Sequence, residues 1–258
     1  MSASELRILE NDEELVREAA EFVVWAGEQA IASVGTFRLA LSGGTTPKAL
    51  YAVLAGTGAL KRLDWRRVTV FFGDERCVPP EHADSNFRMA NETLIRPLDI
   101  PQDRIFRMHG EDEPDQAARR YEERLRKEFG TPAPAWPRFD LILLGLGDDG
   151  HTASLFPGTP ALSEQKRLVV QSHAPQGAKQ RLTFTAPLIN QAQAVVFLVS
   201  GKSKAPALKA VLEDRTADSK KYPAKLIQPE KGRLIWFLDH AAAAELAIEK
   251  QRVVSHEE

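Results

Sequence analysis

Phe139–Gly158 reads FDLILLGLGDDGHTASLFPG, and the rest of the chain is best read outward from it. The stretch opens as an apolar strand, Phe139–Leu144, and runs into glycines spaced Gly145-x-Gly147-x-x-Gly150. That spacing belongs to dinucleotide-binding turns, where the backbone approaches a pyrophosphate. Asp148 and Asp149 nevertheless stand inside the turn, where phosphates would come closest. Unit charges about 4 Å apart interact by roughly 1 kcal/mol in water and about 4 kcal/mol at an effective dielectric of 20. The two carboxylates therefore oppose phosphate at this point. His151 follows at once, so the spacing specifies a sharp turn while the charges specify an imidazole held ready for proton transfer.

Upstream, Leu15, Val16, Ala19, Ala20, Phe22, Val23 and Ala26 recur at helical spacing and predict one amphipathic helix over Asp12–Ser33. Phe37–Leu41 is a short apolar strand that enters Ser42-Gly43-Gly44-Thr45-Thr46-Pro47. Thr46 as N-cap with Pro47 in the first helical position then starts a helix through about Leu54. Val68–Gly73 is a strand leading into Asp74-Glu75-Arg76. Ser85 caps a helix through Ile95, Pro114–Phe129 is a charged helix, and Thr131–Pro137 is a connector. Downstream, Arg167–Gln171, Arg181–Thr185, Val195–Val199 and Leu234–Leu238 read as strands, with helices at Lys204–Leu212 and Ala241–Lys250. Continuous apolar strands alternating with helices define an α/β fold, a doubly wound, largely parallel sheet with helices on both faces. Ligands of such sheets bind beyond the carboxyl ends of the strands. Three polar, glycine-bearing loops lie there, after Leu41, Phe72 and Leu144, and are expected to surround one site.

A length of 258 residues suits a single α/β domain spanning 1–258, and no linker or repeat divides it. The formal charge of −2 gives no general electrostatic reason to bind nucleic acid or an anionic membrane. Cys77 is the sole cysteine, so no intrachain disulfide forms. The start, MSASELRILENDEELVREAA, lacks the basic opening and apolar stretch of a signal peptide, and the expected location is cytoplasmic.

Ser42–Pro47 is the strongest phosphate candidate. Gly43 and Gly44 permit close backbone approach, Thr45 and Thr46 offer hydroxyls, and the helix start presents free N–H groups. The competing reading is an ordinary strand-to-helix turn. Arg76 brings a forked donor to the same sheet edge, against the alternative of a surface ion pair. Asp149 beside His151 suits a general base whose tautomer is fixed by a carboxylate. No second cluster accompanies Asp148, Asp149 and His151, so no metal ligand is assigned. Arg181, on an alternating strand, and Lys202, in Ser200-Gly201-Lys202-Ser203-Lys204, are further phosphate candidates, with solvated basic side chains as the alternative. The GKS triplet is not a P-loop, because the required upstream glycine position is Val196. Cys77 has no partner histidine in its motif and reads as a bystander.

In order along the chain, LSGGTTP (Leu41–Pro47), GDER with VP (Gly73–Pro80), SNFRMA (Ser85–Ala90), GLGDDGHTASLFPG (Gly145–Gly158), RLTFT (Arg181–Thr185) and SGKSK (Ser200–Lys204) closely resemble the 6-phosphogluconolactonase family. The resemblance implies hydrolysis of 6-phospho-D-glucono-1,5-lactone in the pentose phosphate pathway with no required cofactor. It also implies a fold shared with glucosamine-6-phosphate deaminases and, more distantly, ribose-5-phosphate isomerase. Carried onto this chain, it makes His151 the base that activates water and Asp149 its orienting partner. Arg76, Arg181, Lys202 and the Gly43–Thr46 turn then bind phosphate or steady an oxyanion. The implied partner is a small sugar-phosphate lactone, and the protein is expected as a monomer or small homo-oligomer.

The related deaminases are the nearest rival, with a catalytic glutamate five residues after the histidine of a similar turn. Here that position is Phe156, which cannot carry a proton. A non-catalytic sugar-phosphate binder is the reading from another class. A nicotinamide oxidoreductase lacks its ribose anchor, since an acidic residue is due near Val169–Ser172 and the chain reads Val-Val-Gln-Ser.

Overall fold

A computed structural model describes residues 4–56 and 62–247. The strands are β1 (Glu5–Leu9), β2 (Phe37–Leu41), β3 (Val68–Phe72), β4 (Asp74–Arg76), β5 (Ile105–Phe106), β6 (Leu141–Gly145), β7 (Val169–His173), β8 (Gln180–Phe184), β9 (Ala194–Val199) and β10 (Arg233–Asp239). The α-helices are α1 (Asp12–Val34), α2 (Thr45–Gly56), α3 (Asn86–Ala90), α4 (Pro114–Phe129), α5 (Ala186–Ile189), α6 (Ala205–Leu212) and α7 (His240–Ala243).

Seven strands form one sheet in the order β1-β10-β9-β6-β2-β3-β5, and every neighbouring pair is parallel. β3 and β9 are buried along their whole length, as strands covered on both faces must be. Phe237 meets Phe22 of α1, while its neighbour Trp236 faces Val211 and Leu212 of α6. Successive strand side chains point to opposite faces, so helices cover both. From β2 the chain moves outward through β3 and β5, then returns to place β6 on the other side of β2. The strand order reverses between β2 and β6, and the crevice opens at their carboxyl ends.

Most expected elements appear within two residues of their predicted bounds. Asn11 caps α1 by accepting from the Glu14 N–H at 2.9 Å, and Ser85 caps α3 by accepting from Arg88 N–H at 3.1 Å. The helix begun by α3 continues as one π-helical turn over Asn91–Ile95. Four expectations need correction. α2 begins at Thr45, not after Thr46, because Gly44 at φ 109 turns the chain and its carbonyl accepts from Lys48 N–H. The strands expected at Arg167–Gln171 and Arg181–Thr185 leave the main sheet, and as β7 and β8 they pair antiparallel with β4 in the order β4-β8-β7. The helix expected over Ala241–Lys250 ends at Ala243, since alanine propensity is a weak prior without packing. Its residues 248–250 lie outside the described ones. β1, whose ELRIL side chains are all half-buried at the sheet edge, and the two-residue β5 carry no clear strand pattern.

Among the described residues no helix is long and apolar enough to cross a membrane. The core joins the two sheets through rings: Phe139 packs on Phe71 and Phe184, and Tyr121 of α4 lies against Phe184. The Tyr121 hydroxyl donates to the Phe106 carbonyl at 2.8 Å and accepts from Phe72 N–H at 3.0 Å. One phenol thus ties α4 to β3 and β5 directly below the site.

Candidate active site

A cavity of about 230 Å³ lies at the carboxyl edge of the main sheet. Its walls come from the loops after β2, β3 and β6, as expected, and from a fourth loop after β9. Ser42, Gly43, Gly44, Thr45 and Thr46 form one wall, Asp74 and Arg76 another, Gly147, His151 and Ala153 a third, and Ser200 and Lys204 the last.

The first wall is fixed from below by the buried Tyr51, whose hydroxyl accepts from Ser42 N–H at 2.9 Å and donates to the Ser42 carbonyl at 2.8 Å. The two glycines serve different needs. A side chain on Gly43 would collide with Asn86, its Cβ 2.0 Å from Oδ1, so Gly43 lets α3 approach the turn. Gly44 needs its positive φ to enter the helix. Thr45 and Thr46 occupy the first helical positions, where N–H groups have no partner within a helix, and they line the cavity at the positive end of the α2 dipole.

On the third wall, His151 Nδ1 lies 2.6 Å from Asp149 Oδ1, and the same oxygen accepts from His151 N–H at 3.1 Å. An ionised carboxylate only accepts, so the neutral tautomer this contact selects carries its proton on Nδ1 and its lone pair on Nε2. Burial acts to raise the Asp149 carboxyl, but the hydrogen bond and charge of His151 outweigh it and hold the group below its ordinary value. The Gly147 N–H donates to the His151 carbonyl at 2.9 Å and closes the turn. Gly147 must lack a side chain, since a Cβ there would stand 2.0 Å from His151 Nδ1 and 2.7 Å from Asp149 Oδ1. The Phe156 ring lies against the imidazole with centroids 4.4 Å apart, at the position where the deaminase pattern requires a glutamate.

Arg76 reaches the cavity from β4, anchored by a hydrogen bond from Nη1 to the Asp84 carbonyl. Its β4 neighbours are held firmly. Glu75 accepts from the N–H groups of Asn86 and Phe87 and from Ser85 Oγ, and burial pushes its carboxyl up against those bonds. Asp74 accepts from Ser154 Oγ at 2.8 Å and Asn86 Nδ2 at 3.3 Å, tying the His151 loop to α3. Asp74 was legible only as part of Asp74-Glu75-Arg76, and its place on the wall was not foreseen.

Two expected cations do not reach the wall. Arg181 lies opposite Arg76 in the β4–β8 pair and outside the cavity lining, and its buried Nη1 has no acceptor among the described residues. Burial, and then the charge of Arg76, lower its pKa. Lys202 is exposed and outside the cavity, while Lys204, two residues on, lines it. Asp239 sets that phase: its carboxylate accepts from Ser200 Oγ at 2.7 Å, Gly201 N–H at 2.9 Å and Ala242 N–H at 2.7 Å. Gly201 adopts φ 98, and the turn Lys202–Lys204 then brings Lys204 to the wall. Burial pushes the Cys77 thiol up to about 11, which leaves it inert at neutral pH. Among the described residues no group of three or more His, Cys, Asp and Glu is gathered in a way that could hold a metal ion.

Fold and site together define an α/β protein with a glycine-rich helix-start turn and a carboxylate-oriented imidazole lining one cavity at a topological switch point. Residues 10–236 match the family model of glucosamine-6-phosphate isomerases/6-phosphogluconolactonase, and the chain belongs to that family. It is 46% identical over 245 residues to a 6-phosphogluconolactonase of Synechocystis, covering 95% of this chain and 99% of the relative. The human 6-phosphogluconolactonase is 36% identical over 249 residues, covering 94% of each chain. Among solved structures, the 6-phosphogluconolactonase of Trypanosoma cruzi superposes with a TM-score of 0.85 at 30% identity, covering 95% of this chain and 98% of that one. A monomeric glucosamine-6-phosphate deaminase shares the fold, with a TM-score of 0.77 at 24% identity and coverage of 93% and 99%.

Proposed function

We propose that this chain, acting as one α/β domain, hydrolyses 6-phospho-D-glucono-1,5-lactone to 6-phosphogluconate, with His151 as general base. The carrying observation is the 2.6 Å contact between His151 Nδ1 and Asp149 inside the cavity that also holds the glycine turn. Nε2 takes a proton from water as the water oxygen bonds to the lactone carbonyl carbon. The carbonyl electron pair moves onto oxygen, and the resulting imidazolium is stabilised by Asp149. As the oxyanion collapses, the ring C–O bond breaks and the imidazolium gives its proton to the departing ring oxygen, which leaves as a hydroxyl. Arg76, facing His151 from the second wall, is the group that steadies the oxyanion. Thr45, Thr46 and Gly44 with Lys204 receive the phosphate, where N–H groups, hydroxyls and an ammonium converge. Arg181, opposite Arg76 on the neighbouring strand, and the exposed Lys202 add positive potential without lining the cavity.

Phe156 supports this reading over deamination, because a phenyl ring on the histidine supplies neither a proton nor a charge relay for sugar ring opening. The test measures acid release from the lactone, with spontaneous opening subtracted, beside ammonia release from glucosamine 6-phosphate. Lactone turnover without ammonia is expected. His151→Ala should lose about 10²–10⁴-fold in kcat with its circular dichroism unchanged. Ammonia release supports the deaminase, and ligand binding without any turnover supports a sensor. Undiminished turnover in His151→Ala removes the base.

A further inference from the structure

The mechanism uses one of the two turn carboxylates and leaves the other unexplained. Asp149 serves His151, whereas Asp148 stands outside the cavity and points across to the loop after β9. Its Oδ1 lies 2.6 Å from Lys204 Nζ and accepts from Ser203 Oγ at 3.1 Å. Lys204 is the cavity's ammonium, and Asp148 is the only acceptor its side chain has among the described residues. The group best placed to receive a phosphate dianion is therefore already engaged by a carboxylate of the protein.

We propose that Asp148 is an affinity-setting latch: it holds Lys204 against the catalytic turn in the absence of ligand and yields it to the dianionic end of the substrate or product. This rests on the assignment of phosphate to the Lys204 and glycine-turn end of the cavity. The physical basis is an exchange of partners. Binding gains a Lys–phosphate contact but gives up a Lys–carboxylate contact, so the net gain is only the difference. The latch can open because the Asp148 side chain is 64% exposed, and ion pairs at that exposure are held weakly. A phosphate dianion outcompetes it on charge. The Lys204 bond, more than the slight burial that opposes it, keeps Asp148 below its ordinary pKa, so the latch is charged at neutral pH. Product release benefits, since the carboxylate reclaims the ammonium as the phosphate leaves.

The experiment titrates inorganic phosphate by calorimetry into the wild type, Asp148→Asn, Lys204→Gln and the double variant at constant ionic strength, with KM and kcat measured alongside. A latch predicts that Asp148→Asn tightens phosphate binding about two- to fivefold, the range an exposed ion pair spans. KM for the lactone should fall by a similar factor. In the Lys204→Gln background the Asp148→Asn effect should shrink towards nothing, because the pair is already broken. Asp148→Asn that weakens phosphate binding makes Asp148 a strut for Lys204 and overturns the latch. An equal gain with and without Lys204 also overturns it, because the effect is then plain repulsion. If Lys204→Gln leaves phosphate affinity untouched, the underlying assignment of this end of the cavity fails, and the latch with it.

Discussion

Gly147→Ala separates catalysis from folding at the cost of one methyl group. Gly147 does not occupy the left-handed region, so its backbone accepts a side chain without strain. The added Cβ nevertheless meets His151 Nδ1 at 2.0 Å and Asp149 Oδ1 at 2.7 Å, where ordinary contact begins near 3.4 Å. The imidazole must retreat by about 1.4 Å, and the 2.6 Å pair with Asp149 cannot follow intact. Both colliding atoms belong to partly exposed side chains that can swing, so stability should change by no more than about 1 kcal/mol. The chemistry has no such freedom, since a displacement near 1 Å costs on the order of 10²-fold, and loss of the oriented tautomer adds to it. Lactone hydrolysis and thermal unfolding measured on one preparation test this together. A fall of at least about 10²-fold in kcat with Tm shifted by less than about 4 °C is expected. Turnover within threefold of wild type would show that the Asp149–His151 pair is not what drives the reaction. Collapse of Tm would show that the turn itself had broken.

Two further substitutions probe the groups behind the site. The Asp149 carboxyl is depressed in the folded state, so its stabilisation is present above the unfolded value of about 3.9 and disappears as pH falls through the folded value. Urea midpoints of wild type and Asp149→Asn should differ near neutrality and converge in acid, and curves that stay parallel down to about pH 3 refute the assignment. Asp239→Ala should cost about 2–4 kcal/mol in denaturant titrations, because the buried Asp239 accepts from Gly201 N–H and Ala242 N–H, which lose their acceptor. It should also raise KM by freeing the loop that carries Lys204, and a loss below about 0.5 kcal/mol removes the anchoring role.

Much of this architecture could be read along the chain because β6 and β9 are written in unbroken apolar runs and β2 and β3 are interrupted only by Arg38 and Thr69. The glycines ending β2 and β6 then marked where the backbone turns towards a ligand. The antiparallel pair β7–β8 was visible as strands but not as a separate sheet, since nothing local to QRLTF records that its partner is Arg76 rather than a main-sheet strand. β1 escaped notice because its edge position leaves every side chain half-buried and its polarity mixed. At the site, His151 and Asp149 were legible because their geometry is made by five consecutive residues. Lys204 was not, because Asp239, 35 residues away, decides which lysine of Lys202-Ser203-Lys204 faces inward. Gly43 lines the cavity as expected of its place in the turn, and the further demand on it, the approach of Asn86 from another helix, has no local signal.

Gly73 sits between β3 and β4 and belongs to both hydrogen-bond ladders. Its N–H donates to Leu41 in the parallel sheet, and its carbonyl accepts from Phe184 in the antiparallel one. One residue therefore joins the half of the cavity that carries the guanidinium to the half that carries the imidazole. Together with the Asp74–Ser154 bond and the Phe139–Phe184 contact, it fixes the separation of Arg76 from His151, so a shift of either sheet is felt at both. A ligand that touches both halves binds only while they stay together, and so adds to the stability of that arrangement.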